Sequence, residues 1–195
     1  MTSRIDLGPA ADALASLLPG IPDDALDAPT LCPDWSVGDL LDHVHSLGEA
    51  FRRAALKEPS PGAPPAPDAS ALDPEWRTTI PARLAAMAEA WRDPAAWDGM
   101  TQVGGVDQPG EVCAMTGLDE LVVHGWDLAR ATGQAYDVPD VCVAGAQSFA
   151  DLVTAGAPDG VPGLFGKAGA MPHDATVLDR LVVTTGRDPG WRPVA

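Results

Sequence analysis

The segment ELVVHGWDLARATG, from Glu120 to Gly133, sets Glu120, His124 and Asp127 inside an otherwise apolar run. At ~100° per helical residue these three side chains share one narrow stripe, while Leu121, Val122, Val123, Trp126, Leu128 and Ala129 cover most of the remaining circumference. A helix of this kind is expected to be largely buried. Its polar stripe is then either the one wetted face or the lining of a site, because a buried polar group is costly unless it is satisfied. Glu120 and His124 are four residues apart, which puts their Cβ atoms roughly 5 to 6 Å apart and lets both heads reach one point. That is half of a metal site. A complete one needs a further nitrogen, oxygen or sulfur donor from another element, and His43, His45 and His173 are the histidines that can supply it. His43 and His45 lie at opposite edges of one apolar stripe, and periodicity does not choose between them. An ordinary surface pair of Glu120 and His124, worth a few tenths of a kcal/mol, is the plain alternative.

Other signatures of chemistry are missing from the sequence: no Gly-x-Gly-x-x-Gly phosphate loop, no His-Glu-x-x-His pair, no Gly-x-Ser-x-Gly elbow. Cys32, Cys113 and Cys142 form no Cys-x-x-Cys pair, which argues against a disulfide framework and for packing roles in a reducing compartment. Trp35, Trp76, Trp91 and Trp126 are expected in the core. Asp127, one turn beyond His124, is expected to orient a ligand or to fix the segment from Trp126 to Arg130.

The elements that must carry these residues read as helices. A short first helix spans about 9–18, ended by Pro19-Gly20. Ser36 is a good N-cap, with Asp39 three residues on as in a capping box, and the second helix should run to about Lys57 on a stripe of Val37, Leu40, Leu41, Val44, Leu47 and Phe51. Residues 58–74 are proline-rich and predict an irregular, partly extended crossover. The segment WRTTIPARLAAMAEAWRD, residues 76–93, gives a third helix, predicted to be strongest from Pro81, which suits a first helical turn, to Arg92. Breakers then dominate up to Gly110, with at most a short hairpin. A fourth helix should run from near Glu111 to a left-handed Gly133, and a fifth over about 139–154. The tail from about 155 to 195 is rich in Gly and Pro and becomes helical near 174–185. With no strand pattern of useful length, the fold class is all-α: one four-helix bundle over residues 1–195 with a long crossover and a C-terminal helical tail.

Composition narrows the partners. The 195 residues include 28 acidic against 12 basic side chains, a formal charge of -16, so the surface should repel nucleic acid and anionic membranes. No apolar run approaches the ~20 residues of a membrane span, and the N-terminus lacks the apolar core of a secretion signal. A soluble, cytoplasmic protein, monomer or homodimer, is the expectation.

Taken together, PTLCPDWSVGDLLDHVHSLGEAF, GLDELVVHGWDLARATGQ and the closing HDATVLDRLVVTTGRDPGW resemble the metal-binding family of DinB-like four-helix proteins related to the N-terminal domain of mycothiol-dependent maleylpyruvate isomerase. The resemblance implies that the His of the Leu-Leu-x-His position and the Glu and His of Glu-x-x-x-His-x-Trp-Asp bind one divalent metal; here these are His43, Glu120 and His124, with His45 the spare. A His2Glu set with an open position suits catalytic zinc, the first expectation, with nickel or iron as alternatives. It further implies mycothiol as cosubstrate, its thiol activated at the metal for transfer to an electrophile. Catalytic side chains beyond the metal set are not identified by the resemblance. The isomerase has a further C-terminal domain, whereas about forty residues follow the fifth helix here. A thiol S-transferase is therefore expected ahead of maleylpyruvate isomerisation itself. The rival expectations are a non-enzymatic metal-binding or stress-response module and a metal-dependent hydrolase.

Overall fold

The computed structural model describes residues 4–193. Helix α1 (Gly8–Ala15) has Pro9 in its first turn and buries Leu14 before a 3-10 turn at Leu18–Gly20. Helix α2 (Val37–Ala55) has its capping box complete: Ser36 Oγ accepts from the Asp39 N–H at 3.2 Å, and Asp39 Oδ2 accepts from the Ser36 N–H at 2.8 Å. Both first-turn donors are thereby satisfied, and the helix enters with Val37, Leu40, Leu41 and Val44 turned inward. The same Asp39 carboxylate accepts from Ala69 N–H at 2.7 Å, so the proline-rich crossover is tied to the start of α2 through its one 3-10 turn, Ala69–Ala71.

Helix α3 (Trp76–Ala90) starts with the expected segment, but Pro81 lies inside it and not in its first turn. The reason is burial. Trp76 and Ile80 continue the face of Leu84, Met87 and Ala88, and covering those two large side chains outweighs the one backbone hydrogen bond that Pro81 cannot donate. A one-turn helix α4 (Pro94–Trp97) leads into an antiparallel hairpin, β1 (Met100–Val103) and β2 (Val106–Pro109), turned by Gly104 and Gly105. The hairpin docks on the end of α2, where Thr101 Oγ1 donates to the Ala54 carbonyl.

Helix α5 (Gly110–Thr132) closes on Gly133 at φ 68°, a left-handed cap that only glycine adopts without strain. The contacts α1 with α3, α3 with α2, α2 with α5 and α5 with α1 form a closed ring, which is the four-helix bundle. Helix α6 (Asp140–Thr154) covers the outer side of α5, and α7 (Val177–Thr184), capped by Thr176 and Asp179, covers α6. Helix α5 is thus enclosed on several sides, which is why Leu118, Leu121, Val122, Val123, Trp126 and Leu128 are all buried. The tail is tied back by Arg130 Nη2, which donates to the Pro189 carbonyl at 2.9 Å. Among the described residues no helix is long and apolar enough to cross a membrane.

Candidate metal centre

Three side chains from two helices meet near the middle of the bundle. Glu120 and His124 project from one face of α5, and His43 reaches them from α2. His124 Nε2 lies 2.9 Å from Glu120 Oε2, and His43 Nε2 lies 3.3 Å from the same oxygen. All three ligand atoms fall within 4.8 Å of one another. His45 is elsewhere, its Nε2 3.9 Å from Asp73, and His173 is exposed on the tail outside the cluster. The packing of α2 on α5 thus brings His43, and not His45, to Glu120 and His124.

The other edge of His124 is held from behind. Its Nδ1–H donates to Asp127 Oδ2 at 3.1 Å, and Asp127, fully buried, receives the Arg187 guanidinium through Nε at 3.0 Å and Nη2 at 2.8 Å. Arg187 Nη1 donates to the Thr185 carbonyl, so the whole fork is engaged. Cys32 completes the group, its Sγ–H donating to Asp127 Oδ2 at 3.4 Å. Burial alone raises the Asp127 carboxyl, but the charge of Arg187, with the hydrogen bonds of His124 and Arg187, brings it down to about 2. Burial likewise opposes ionisation of Glu120, yet the hydrogen bonds from His124 and His43 hold it below the usual carboxylate range. For His124 burial favours the neutral ring, and Asp127, Cys32 and Glu120 together outweigh it, so its pKa is well above the usual imidazole value. Asp119 stands apart: buried, with Oδ1 unpartnered, it is pushed well above the usual carboxyl range by burial and then by Glu120, against the pull of Arg187 and His124.

This arrangement fits a divalent cation. A ring whose two nitrogens both face carboxylates needs a positive charge at Nε2, and a cation shared with Glu120 and His43 satisfies the same electron pairs as a proton there. Because Nδ1–H is committed to Asp127, the Nε2 lone pair is the one left to ligate. Cys32, His124 and Asp127 also lie within 4.8 Å of one another. A second cation among them would face the Arg187 charge, so that set serves to hold His124 rather than to bind an ion.

Cys32 and Arg187 are the residues that local sequence patterns do not single out. Cys32 opens a turn in which Trp35 N–H donates to its carbonyl at 3.1 Å, with Pro33 next and Asp34 at φ 66°, the pattern of a type II turn. The Cys-Pro-Asp-Trp run just before the α2 cap was the available signal. The turn seats Trp35 against the His43 ring, centroids 5.0 Å apart. Of the other tryptophans, Trp76, Trp91 and Trp126 are buried, as are Cys113 and Cys142, and burial pushes the Cys113 thiol up to about 12. Arg187 arrives from the tail after Gly186, 60 residues from Asp127 in the chain, a distance at which no local pattern operates.

A cavity of about 490 Å³ opens above the cluster, its floor formed by His43, Glu120 and His124 and its sides by Cys32, Trp35, Arg187 and the tail segment 161–166. This is the size of a small-molecule site.

Residues 7–129 match the family model of the mycothiol maleylpyruvate isomerase N-terminal domain. Two uncharacterized proteins of Mycobacterium tuberculosis, from strains CDC 1551 / Oshkosh and ATCC 25618 / H37Rv, are each 36% identical over 139 residues, 69% of this chain and 70% of theirs. The crystal structure of mycothiol-dependent maleylpyruvate isomerase shares the fold with a TM-score of 0.57 at 19% identity, over 77% of this chain and 70% of that one. A histidine-to-alanine mutant of that isomerase gives a TM-score of 0.57 at 20% identity.

Proposed function

The chain belongs to the mycothiol maleylpyruvate isomerase N-terminal domain family, and from that premise we propose that it is a divalent-metal-dependent thiol S-transferase using mycothiol. The observation that carries the reading is the convergence of His43 Nε2, Glu120 Oε2 and His124 Nε2 on one point at the floor of an open cavity. Two imidazoles and one carboxylate leave positions free for an exogenous ligand, whereas structural zinc is normally closed by four protein ligands. Zinc is the metal we favour, because two His and one Glu with an open position form a catalytic zinc set; the same donors also suit iron or nickel.

When bound, the cation supplies Lewis acidity that lowers the pKa of a thiol brought to it. The protein's own groups do the positioning. Asp127 keeps the proton of His124 on Nδ1 and so presents Nε2 to the cavity; Arg187 keeps Asp127 ionised and in place. Trp35 packs against His43 and limits its rotation. The thiol proton leaves to solvent through the cavity mouth, the sulfur forms its bond to the electrophilic carbon, and the electron pair displaced there takes a solvent proton or departs with a leaving group. No residue of the chain changes oxidation state.

Mycothiol should be consumed with a reactive electrophile faster in the presence of the metal-loaded protein than of its His124→Ala variant, followed as loss of free thiol. Calorimetry should register mycothiol binding to the wild type alone. If the metal-loaded protein neither binds mycothiol nor accelerates its conjugation, the S-transferase reading gives way to passive metal binding.

A further inference from the structure

The cavity joins a polar floor to an apolar wall. Leu31 and Trp35 line it from the segment before α2, and Val161, Pro162, Leu164 and Phe165 from the tail. The second group lies beyond residues 7–129, the part of the chain that the family model covers. It is nevertheless a built wall. Val161 N–H donates to the Phe165 carbonyl at 2.8 Å and Phe165 N–H returns the bond at 2.9 Å, while Gly166 N–H donates to the Thr185 carbonyl at 3.2 Å. A Cβ on Gly186 would lie 2.5 Å from Gly166 Cα, so the segment rests backbone to backbone on the turn that carries Arg187. Phe165 is buried against Phe149, and Leu164, 39% exposed, stands at the lip.

Charge decides what such a wall accepts. Among the described residues lining the cavity, Arg187 is the one Lys or Arg, and its fork is closed on Asp127 and the Thr185 carbonyl. Lys167, next to the wall, is exposed and paired with Asp159 at 2.7 Å. A dipositive ion at the floor would face Glu120 and the thiol sulfur. An anionic group on the second substrate therefore meets no unpaired cation on the wall, in a chain whose formal charge is already -16.

We infer that the electrophile this cavity takes is uncharged and apolar, and that residues 161–165 impose the preference. The inference deepens the S-transferase reading and rests on it for the reaction. With an activated alkene, a sulfur–carbon bond forms, the alkene π bond breaks, and the neighbouring carbon takes up a proton equivalent to the one the thiol loses.

The test uses the full chain with its metal, mycothiol, and two acceptors that share one reacting alkene: benzylideneacetone and its para-carboxylate. Each rate is divided by the uncatalysed rate. The neutral ketone should be favoured by about tenfold or more, the penalty for burying an unpaired charge, and Leu164→Arg should reverse the order. An equal or reversed preference in the wild type, or a ratio unmoved by Leu164→Arg, overturns the inference. A readout without turnover separates it from the reaction itself: ligand-observed NMR with the unreactive benzylacetone and its para-carboxylate. Selective binding of benzylacetone, lost in Leu164→Arg, upholds the wall even if neither acceptor is conjugated, in which case the S-transferase reading alone fails. Binding of both or of neither in the wild type overturns the wall.

Discussion

Replacing Arg187 by Ala isolates the link between the tail and the face of α5 that carries Glu120, His124 and Asp127. In the wild type the guanidinium closes on Asp127 through Nε at 3.0 Å and Nη2 at 2.8 Å, with Asp127 fully buried and the Arg187 side chain 12% exposed. Removing one partner of a buried pair strands the other charge, at a cost of about 3 to 5 kcal/mol. Here His124 Nδ1 and Cys32 Sγ still face the carboxylate at 3.1 and 3.4 Å, so the lower end, about 3 kcal/mol, is expected. For a chain of this size that lowers Tm by about 6 to 12 °C. The assay is thermal and urea unfolding followed by circular dichroism, on metal-free protein so that ion binding does not mask the change. Asp127→Asn and the double variant complete a cycle, and the double variant should be less damaged than the sum of the two singles. A loss below about 0.5 kcal/mol for Arg187→Ala, or simple additivity across the cycle, would mean that this pair does not anchor the tail.

Asp127→Asn should keep the helical content but weaken divalent-metal affinity about 10- to 100-fold, measured by competition with a chromogenic chelator, because the amide no longer fixes the His124 tautomer. Asp39 predicts a pH effect remote from the site: the Ser36 hydroxyl and N–H, with Ala69 N–H, hold its carboxyl below its ordinary unfolded-chain value despite some burial. Its contribution is therefore fully present above that value and lost as pH falls through the lower folded-state pKa; Asp39→Ala should flatten this acid limb and cost about 1 kcal/mol at neutral pH, read from denaturant titrations. Chelation with EDTA should leave the circular dichroism spectrum helical, since the ring of α1, α3, α2 and α5 is held by the burial of apolar side chains such as Leu14, Leu41, Leu84 and Leu121; collapse of the helices would make the site structural.

What the sequence makes legible is what local rules control. The Ser36 and Asp39 capping box, the proline-rich crossover and the left-handed end at Gly133 all depend on neighbours within a few residues, and each is found where expected. The shared face of Glu120, His124 and Asp127 follows from helical geometry alone. Pro81 shows the limit: its local preference for a first turn yields to the burial of Trp76 and Ile80. Cys32 shows another. Read by type and spacing it is a packing cysteine, and it is indeed buried, but the turn at Pro33 and Asp34 puts its sulfur on Asp127 and at the cavity wall. Arg187 and residues 161–166 reach the site only through tertiary contacts of a Gly- and Pro-rich tail, where no periodicity reports burial.

If His43, Glu120 and His124 together hold one divalent ion, as proposed above, the metal content per chain must depend on each of them. Elemental analysis after equilibrium dialysis against limiting zinc should give one ion per wild-type chain, none for His124→Ala or His43→Ala, and an unchanged value for His45→Ala and His173→Ala. A wild-type chain that retains no ion, or a His124→Ala chain that retains as much as the wild type, would mean that these three side chains do not form a metal site.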